Sequence, residues 1–130
     1  MAIWQFMDYI SPQGRNVIDD WYTGLLTQEQ SDFKALLRIL AKTRQWPRGA
    51  FKLLGRPYPG LGELRFESQK RAHRVIGCFG PGPWQFTMLI GCFHKQRVYT
   101  PANALDTAMQ RKRLLARREG SVRERKISMG

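Results

Sequence analysis

Several things are scarce in this 130-residue chain. No apolar run approaches the roughly 18 residues a membrane span needs, which predicts a soluble chain with no membrane partner. The start, MAIWQFMDYI, has neither a basic opening nor a small-residue cleavage site, so no secretory signal is expected and the compartment is expected to be the cytoplasm. There are only two cysteines and two histidines, without close metal-ligand spacing, which argues against a zinc site. Cys78 and Cys92 fall on neighbouring predicted strands. A disulfide is geometrically open if they pair directly, but a reducing compartment favours buried thiols. Acidic residues number 10 and are scattered, which disfavours a two-metal carboxylate nuclease. Also missing are a Walker A loop, a dinucleotide-binding glycine fingerprint, a paired-histidine zinc sequence and a nucleophile elbow. No metal and no cofactor is therefore expected.

What is present in excess is positive charge. Lys and Arg number 22, giving a net +12 and a pI near 10.5. Such a balance points to a polyanionic partner: nucleic acid, an acidic protein or an anionic surface. A basic but otherwise ordinary surface is the plain alternative. With 42% hydrophobic residues the chain is globular in composition and long enough for one two-layer core.

The pattern along the chain predicts an α+β fold, a small antiparallel-rich sheet packed against an N-terminal helical hairpin, with a C-terminal helix. IWQFMDY, residues 3–9, reads as a first strand. Ser11-Pro12 reads as a helix start, with Val17, Trp21 and Leu25 facing the sheet. Thr27 with Gln30 fits a capping box, followed by the apolar stripe Phe33, Leu36, Leu37 and Leu40. Residues 46–62 are a Gly- and Pro-rich loop with one short extended or helical piece near Phe51–Leu54, and its Arg48, Lys52 and Arg56 are candidate phosphate contacts.

A meander of three strands follows, over 61–68, 72–79 and 84–93. Gly77 and Gly91 inside those strands predict bulges or close backbone approach. Thr100-Pro101 reads as the start of a third helix running to about Glu119. The run from Arg111 to Lys126 is strongly basic. Residues 1–120 are expected to form a single domain and 121–130 a basic, flexible tail.

Arg65, Arg74, His94, Lys95 and Arg97 gather on this meander. If its first two strands are neighbours, Arg65 and Arg74 meet as a cross-strand pair on one face. Two like charges repel there unless an anion lies between them. That suits a metal-free reaction open only to RNA. The 2′-OH attacks the adjacent phosphodiester, guanidinium groups stabilise the charge gathering on phosphate, and a base and an acid move the protons. The catalytic candidates are Arg65, Arg74, Lys95 and His94. The substrate-binding candidates are Lys52, Arg97, Tyr99, Arg111 and Arg113. His73 reads as a packed or surface histidine rather than a catalyst.

The ordered set Gly62-Glu63-Leu64-Arg65-Phe66, His73-Arg74-Val75, Phe93-His94-Lys95 and Thr100-Pro101 with Ala108 resembles the RelE/ParE toxin superfamily, specifically its HigB-like, phage-related branch. The resemblance covers nearly the whole chain. It implies a RelE-like fold and a toxin of a type II toxin–antitoxin pair. Such a toxin cleaves mRNA on the translating ribosome, contacts rRNA and is neutralised by a cognate antitoxin, often a helix-turn-helix protein. By the same resemblance, Arg65 contacts the phosphate, Arg74 stabilises the transition state and Lys95 is the first lysine after the last core strand. His73 departs from a usual aromatic, Gln96 from a second lysine, and Arg97 and Tyr99 from small polar or lysine positions. His94 and Tyr99 are reserve candidates for acid and base. Two alternatives stay open: a non-catalytic binder of RNA, DNA or a protein such as gyrase, as in ParE relatives, and an inactive phage remnant.

Overall fold

A computed structural model describes residues 2–128. Its elements in order are β1 (Gln5–Ile10), α1 (Val17–Thr23), α2 (Thr27–Ala41), β2 (Phe51–Leu53), β3 (Gly62–Ser68), β4 (Arg71–Phe79), β5 (Gln85–Lys95), β6 (Val98–Thr100), α3 (Ala104–Ala116) and β7 (Ser121–Glu124). The fold is α+β. One seven-stranded sheet runs β2-β3-β4-β5-β1-β7, with β6 added to β5. β1 pairs with β5 in parallel, and every other strand pair is antiparallel. One edge of β5 carries β1 along Gln85–Met88 and β6 along Phe93–Lys95.

Strand alternation sends side chains to two faces, each buried differently. On one face Leu64, Val75, Phe86 and Met88 meet Phe6 and the α1–α2 residues Ile18, Phe33, Leu37 and Leu40. On the other, Ile76, Cys78, Leu89 and Cys92 meet Ala104, Ala108 and Met109 of α3. A thirteen-residue helix cannot roof a whole sheet face, so part of this second face stays open. The register slips between Ile76/Gly77, leaving Leu89 as the extra residue of a bulge. A Cβ at Gly77 would lie 2.2 Å from the Thr87 carbonyl oxygen, and one at Gly91 would lie 2.1 Å from the Trp21 ring. Both glycines therefore sit at close approaches, as their place in the strands predicts.

Several boundaries differ from the sequence expectation. Ser11-Pro12 starts no helix: Ser11–Arg15 is a turn, with Gly14 at φ +86° and its N–H donating to the Ser11 carbonyl. The helix begins at Val17, because Asn16 Oδ1 accepts the free N–H groups of Ile18 and Asp19. In α2, Glu29 rather than Gln30 folds back onto the Leu26 N–H, at 2.9 Å. Thr100-Pro101 starts no helix either, because Thr100 is still paired to Phe93 as the last residue of β6. The third helix ends at Ala116.

The expected flexible tail is also corrected. Ser121–Glu124 pairs with β1 as β7, and the Arg125 N–H donates to the Phe6 carbonyl at 2.7 Å. The Arg125 side chain is held between Asp8 (2.6 Å) and Asp19 (2.7 Å), and its guanidinium lies 4.9 Å from the Tyr22 ring. Residues 129–130 of the expected tail lie outside the described residues. Cys78 and Cys92 are free thiols, opposite Thr87 and Arg74 rather than each other.

Candidate functional site

Adjacent residues of β4 point to opposite faces, so the two sides of Arg71–Arg74 carry different charged clusters. On the α2 face, His73 is fully buried and stacks on Phe66 at 4.6 Å. Its Nε2 lies 2.7 Å from the buried Glu29 carboxylate, which Arg71 grips with two hydrogen bonds of 2.6 and 2.9 Å. The hydrogen bond from Arg71 holds the Glu29 carboxyl down to about 2. Burial pushes the His73 imidazole below its ordinary range, so it is neutral near pH 7. Glu29 and His73 are fully buried while Arg71 stays 43% exposed, and the cluster ties the start of α2 to the β3–β4 turn. Of the packed and surface readings the sequence left open for His73, the structure has the packed one.

The opposite face holds the other cluster, in which Arg65 is 30% and Arg74 14% exposed. Arg65 and Arg74 are direct cross-strand partners, as the neighbouring-strand expectation required. Between them lies Glu63, buried to 2% exposure and unremarked by the sequence reading of the site. Its Oε1 accepts from Arg65 at 2.8 Å (Nε) and 2.7 Å (a terminal nitrogen), and stands 3.8 Å from Arg74 Nε. Its Oε2 accepts from the Tyr99 hydroxyl at 2.7 Å. Arg74 donates to the His73 carbonyl at 2.9 Å, while its buried Nε has no hydrogen-bond acceptor among the described residues. One carboxylate thus answers two guanidinium groups, and the pair keeps an excess positive charge and an unspent donor.

His94 and Tyr99 face each other across β5 and β6, ring centroids 4.9 Å apart. His94 is half-buried, and burial followed by the Arg74 and Arg65 charges lowers its pKa against the opposing pull of Glu63. Burial and the hydrogen bond to Glu63 push Tyr99 far above the usual phenol range. Cys92, opposite Arg74, is pushed up to about 12 by burial. Lys52 stands opposite Glu63 on exposed β2, on the same face.

Other candidates are not brought together. Lys95 follows His94 in β5 and alternates away from the face of the arginine pair, although it and His94 line one groove with Lys70, Arg71 and Phe93. Arg97 occupies the β5–β6 turn at φ +66°, exposed. Arg111 is committed elsewhere: its guanidinium donates to the Leu89 carbonyl at 2.8 Å and lies 5.6 Å from the Tyr9 ring. Arg113 is exposed on α3 and joins no ion pair among the described residues. Glu63 was within reach of the sequence, since it lies two residues before Arg65 on a strand and so shares its face.

Among the described residues no group of three or more His, Cys, Asp or Glu could hold a metal ion, and no helix is long and apolar enough to cross a membrane. A family model for phage-derived Gp49-like proteins matches residues 20–113, a stretch running from α1 into α3 that includes Glu63, Arg65, Arg74, His94 and Tyr99. No curated protein and no solved structure gives a significant match. The chain therefore belongs to the phage-derived Gp49-like protein family (DUF891), a family related to RelE-type, toxin-like proteins.

Proposed function

We propose that this chain is the toxin of a type II toxin–antitoxin pair, of the HigB-like branch of the RelE superfamily, and that it cuts mRNA on the ribosome in the cytoplasm without a metal. The observation that carries this reading is the direct pairing of Arg65 with Arg74 on one sheet face, beside His94 and Tyr99, with Arg65 partly exposed. A scissile phosphate between the two guanidinium groups gains paired N–H donors as charge builds on its oxygens. His94, held neutral by burial and by the arginines, takes the proton of the 2′-OH. The O2′–P bond forms as the P–O5′ bond breaks, giving a cyclic phosphate and a 5′-OH end. The leaving oxygen takes its proton from water at the open side of the cluster. Tyr99, anchored by Glu63, fixes the imidazole's position. Lys52 and Arg97 are the exposed cations assigned to flanking phosphates, and Lys95 serves at the rim rather than at the reacting phosphate. A cognate antitoxin, a helix-turn-helix protein in this branch, is the partner that silences it.

Expression with and without the adjacent gene, followed by mapping of RNA ends, tests the reading. Growth arrest with new 5′-OH ends in ribosome-bound mRNA is expected, and Arg74→Ala abolishes both while the protein stays folded. Equal toxicity of Arg74→Ala at equal abundance would overturn the role of that arginine. One observation favours a second reading, a non-catalytic ParE-like binder: Glu63 already neutralises Arg65 at 2.7 Å. Growth arrest without new RNA ends would select it.

A further inference from the structure

The far end of β5 carries a feature that the cleavage chemistry leaves unused. The Gly80-Pro81-Gly82-Pro83 turn delivers the chain into Trp84 at φ +58°, a left-handed conformation that bulky L residues rarely adopt. The turn is fixed: the Gly80 N–H donates to the Gln85 carbonyl, and the Gly82 N–H donates to Gln85 Oε1, both at 2.8 Å. A glycine or asparagine would meet the backbone demand at lower cost, and the tryptophan does not recover it by burial, since Trp84 is 42% exposed. Trp4 meets it edge-on at 4.8 Å and is itself locked by Nε1 donating to the Thr43 carbonyl at 3.0 Å. Phe79, 46% exposed, lies 5.3 Å from Trp4. The Arg44 guanidinium lies 5.3 Å from the Trp84 ring.

Aromatic surface of this kind fits a partner with flat π faces, and the charge around it selects the sign. Lys42, Arg44 and Arg48 are all exposed on the α2–β2 connection. Glu124 is the acidic residue lining the adjoining cleft, and Arg125 lies beside it. A second copy of the chain would bring the same cations face to face. We propose that Trp84, backed by Trp4 and flanked by Arg44, is a stacking platform for an unpaired base of single-stranded RNA, with the three cations following the phosphates. Ten residues of extended strand put it roughly 30 Å from His94, so it is a separate anchoring site and not part of the arginine cluster. The inference rests on the chain's partner being RNA, and not on cleavage.

The test measures anisotropy of a labelled oligoadenylate and of its abasic counterpart at physiological ionic strength. Trp84→Ala should weaken oligoadenylate binding by about five- to a hundredfold. Trp84→Phe should keep most of the affinity, and the abasic strand should bind all three proteins alike. Arg44→Gln should weaken both strands alike, as a phosphate contact does, while Trp84→Gly suits the left-handed backbone and should lower affinity for the base-bearing strand alone, which decides the matter if Trp84→Ala proves misfolded by its melting curve. Unchanged oligoadenylate affinity in Trp84→Ala and Trp84→Gly overturns the proposal, and so does an equal loss by those variants on the abasic strand. Displacement of oligoadenylate by polyglutamate from the parent but not from Trp84→Ala also overturns it, in favour of an acidic protein. An Arg74→Ala protein that still cut RNA would defeat the mechanism above and leave the base-dependent difference at Trp84 intact.

Discussion

Replacing Glu63 with Gln removes the one carboxylate between Arg65 and Arg74 while keeping shape and one acceptor oxygen. Glu63 is 2% exposed and takes three short donor contacts, at 2.7, 2.7 and 2.8 Å, with Arg74 at 3.8 Å. Breaking a buried ion pair from one side costs about 3–5 kcal/mol, because a desolvated charge is left behind. Here Arg65 is 30% exposed and can find water, so the loss should fall at or below the bottom of that range, about 2–3 kcal/mol. For a chain of this size that is a fall in melting temperature of roughly 10 °C at low ionic strength. The fall should be reversible by anions. Two unanswered guanidinium groups form a phosphate site, and inorganic phosphate at a hundred times its Kd restores about 2.7 kcal/mol. Thermal melts of both proteins across a phosphate titration check this. Equal stabilisation of both by phosphate, or no difference between them at low salt, would refute the claim that Glu63 stands where a phosphate would.

Other outcomes follow from the same ion pairs. Arg125→Ala should cost about 3 kcal/mol in denaturant unfolding, since it strands the buried Asp8 with only Asn16 as partner, whereas Arg123→Ala on the exposed side of β7 should change stability by about 0.5 kcal/mol or less. Glu29, with a folded-state value of about 2 against an ordinary 4.5, contributes about 3 kcal/mol that is fully present above pH 5 and is lost as pH falls toward 2. Glu29→Gln should therefore flatten the acid limb of a stability–pH profile, leaving the erosion below about pH 6.5 that comes from a buried His73 resisting protonation. Cys92, pushed up to about 12, and the buried Cys78 should react with a thiol reagent at pH 8 only as the chain unfolds. Labelling of either at the rate of a free thiol would contradict the packing described.

The long elements were legible because periodicity and turn chemistry agree there. The Leu and Phe stripe of α2, the three meander strands and the glycines at their close approaches all follow from local pattern. The errors fall where a Ser-Pro or Thr-Pro pair offered a helix start and tertiary structure used it otherwise. Ser11 lies in a turn fixed by Gly14, and Thr100 is held in β6 by Phe93. β7 was invisible for a similar reason. SVRE has little apolar character, and it becomes a strand because β1 offers an unpaired edge and because Arg125 is drawn between Asp8 and Asp19, more than a hundred residues away in sequence.

The site was half legible, and the missing half is instructive. The Arg65–Arg74 pairing followed from strand adjacency and parity alone. Strand parity, carried one residue past His94, turns Lys95 away from the face of the arginine pair. Glu63 was overlooked because a carboxylate two residues before an arginine reads as a solvated surface, and only the fold buries it. The two charged clusters on β4 separate a structural role from a functional one on identical chemistry. Glu29 and His73 are fully buried under α2 and their partner Arg71 makes two short hydrogen bonds, so the charges are answered and the histidine has nowhere to send a proton. Glu63 with Arg65, Arg74 and His94 lies on the opposite face, with one guanidinium still owed an acceptor and a half-buried imidazole beside it. A fully answered ion cluster holds a fold together, while an incompletely neutralised one attracts an anion. The single-residue step from His73 to Arg74 decides which of the two each becomes.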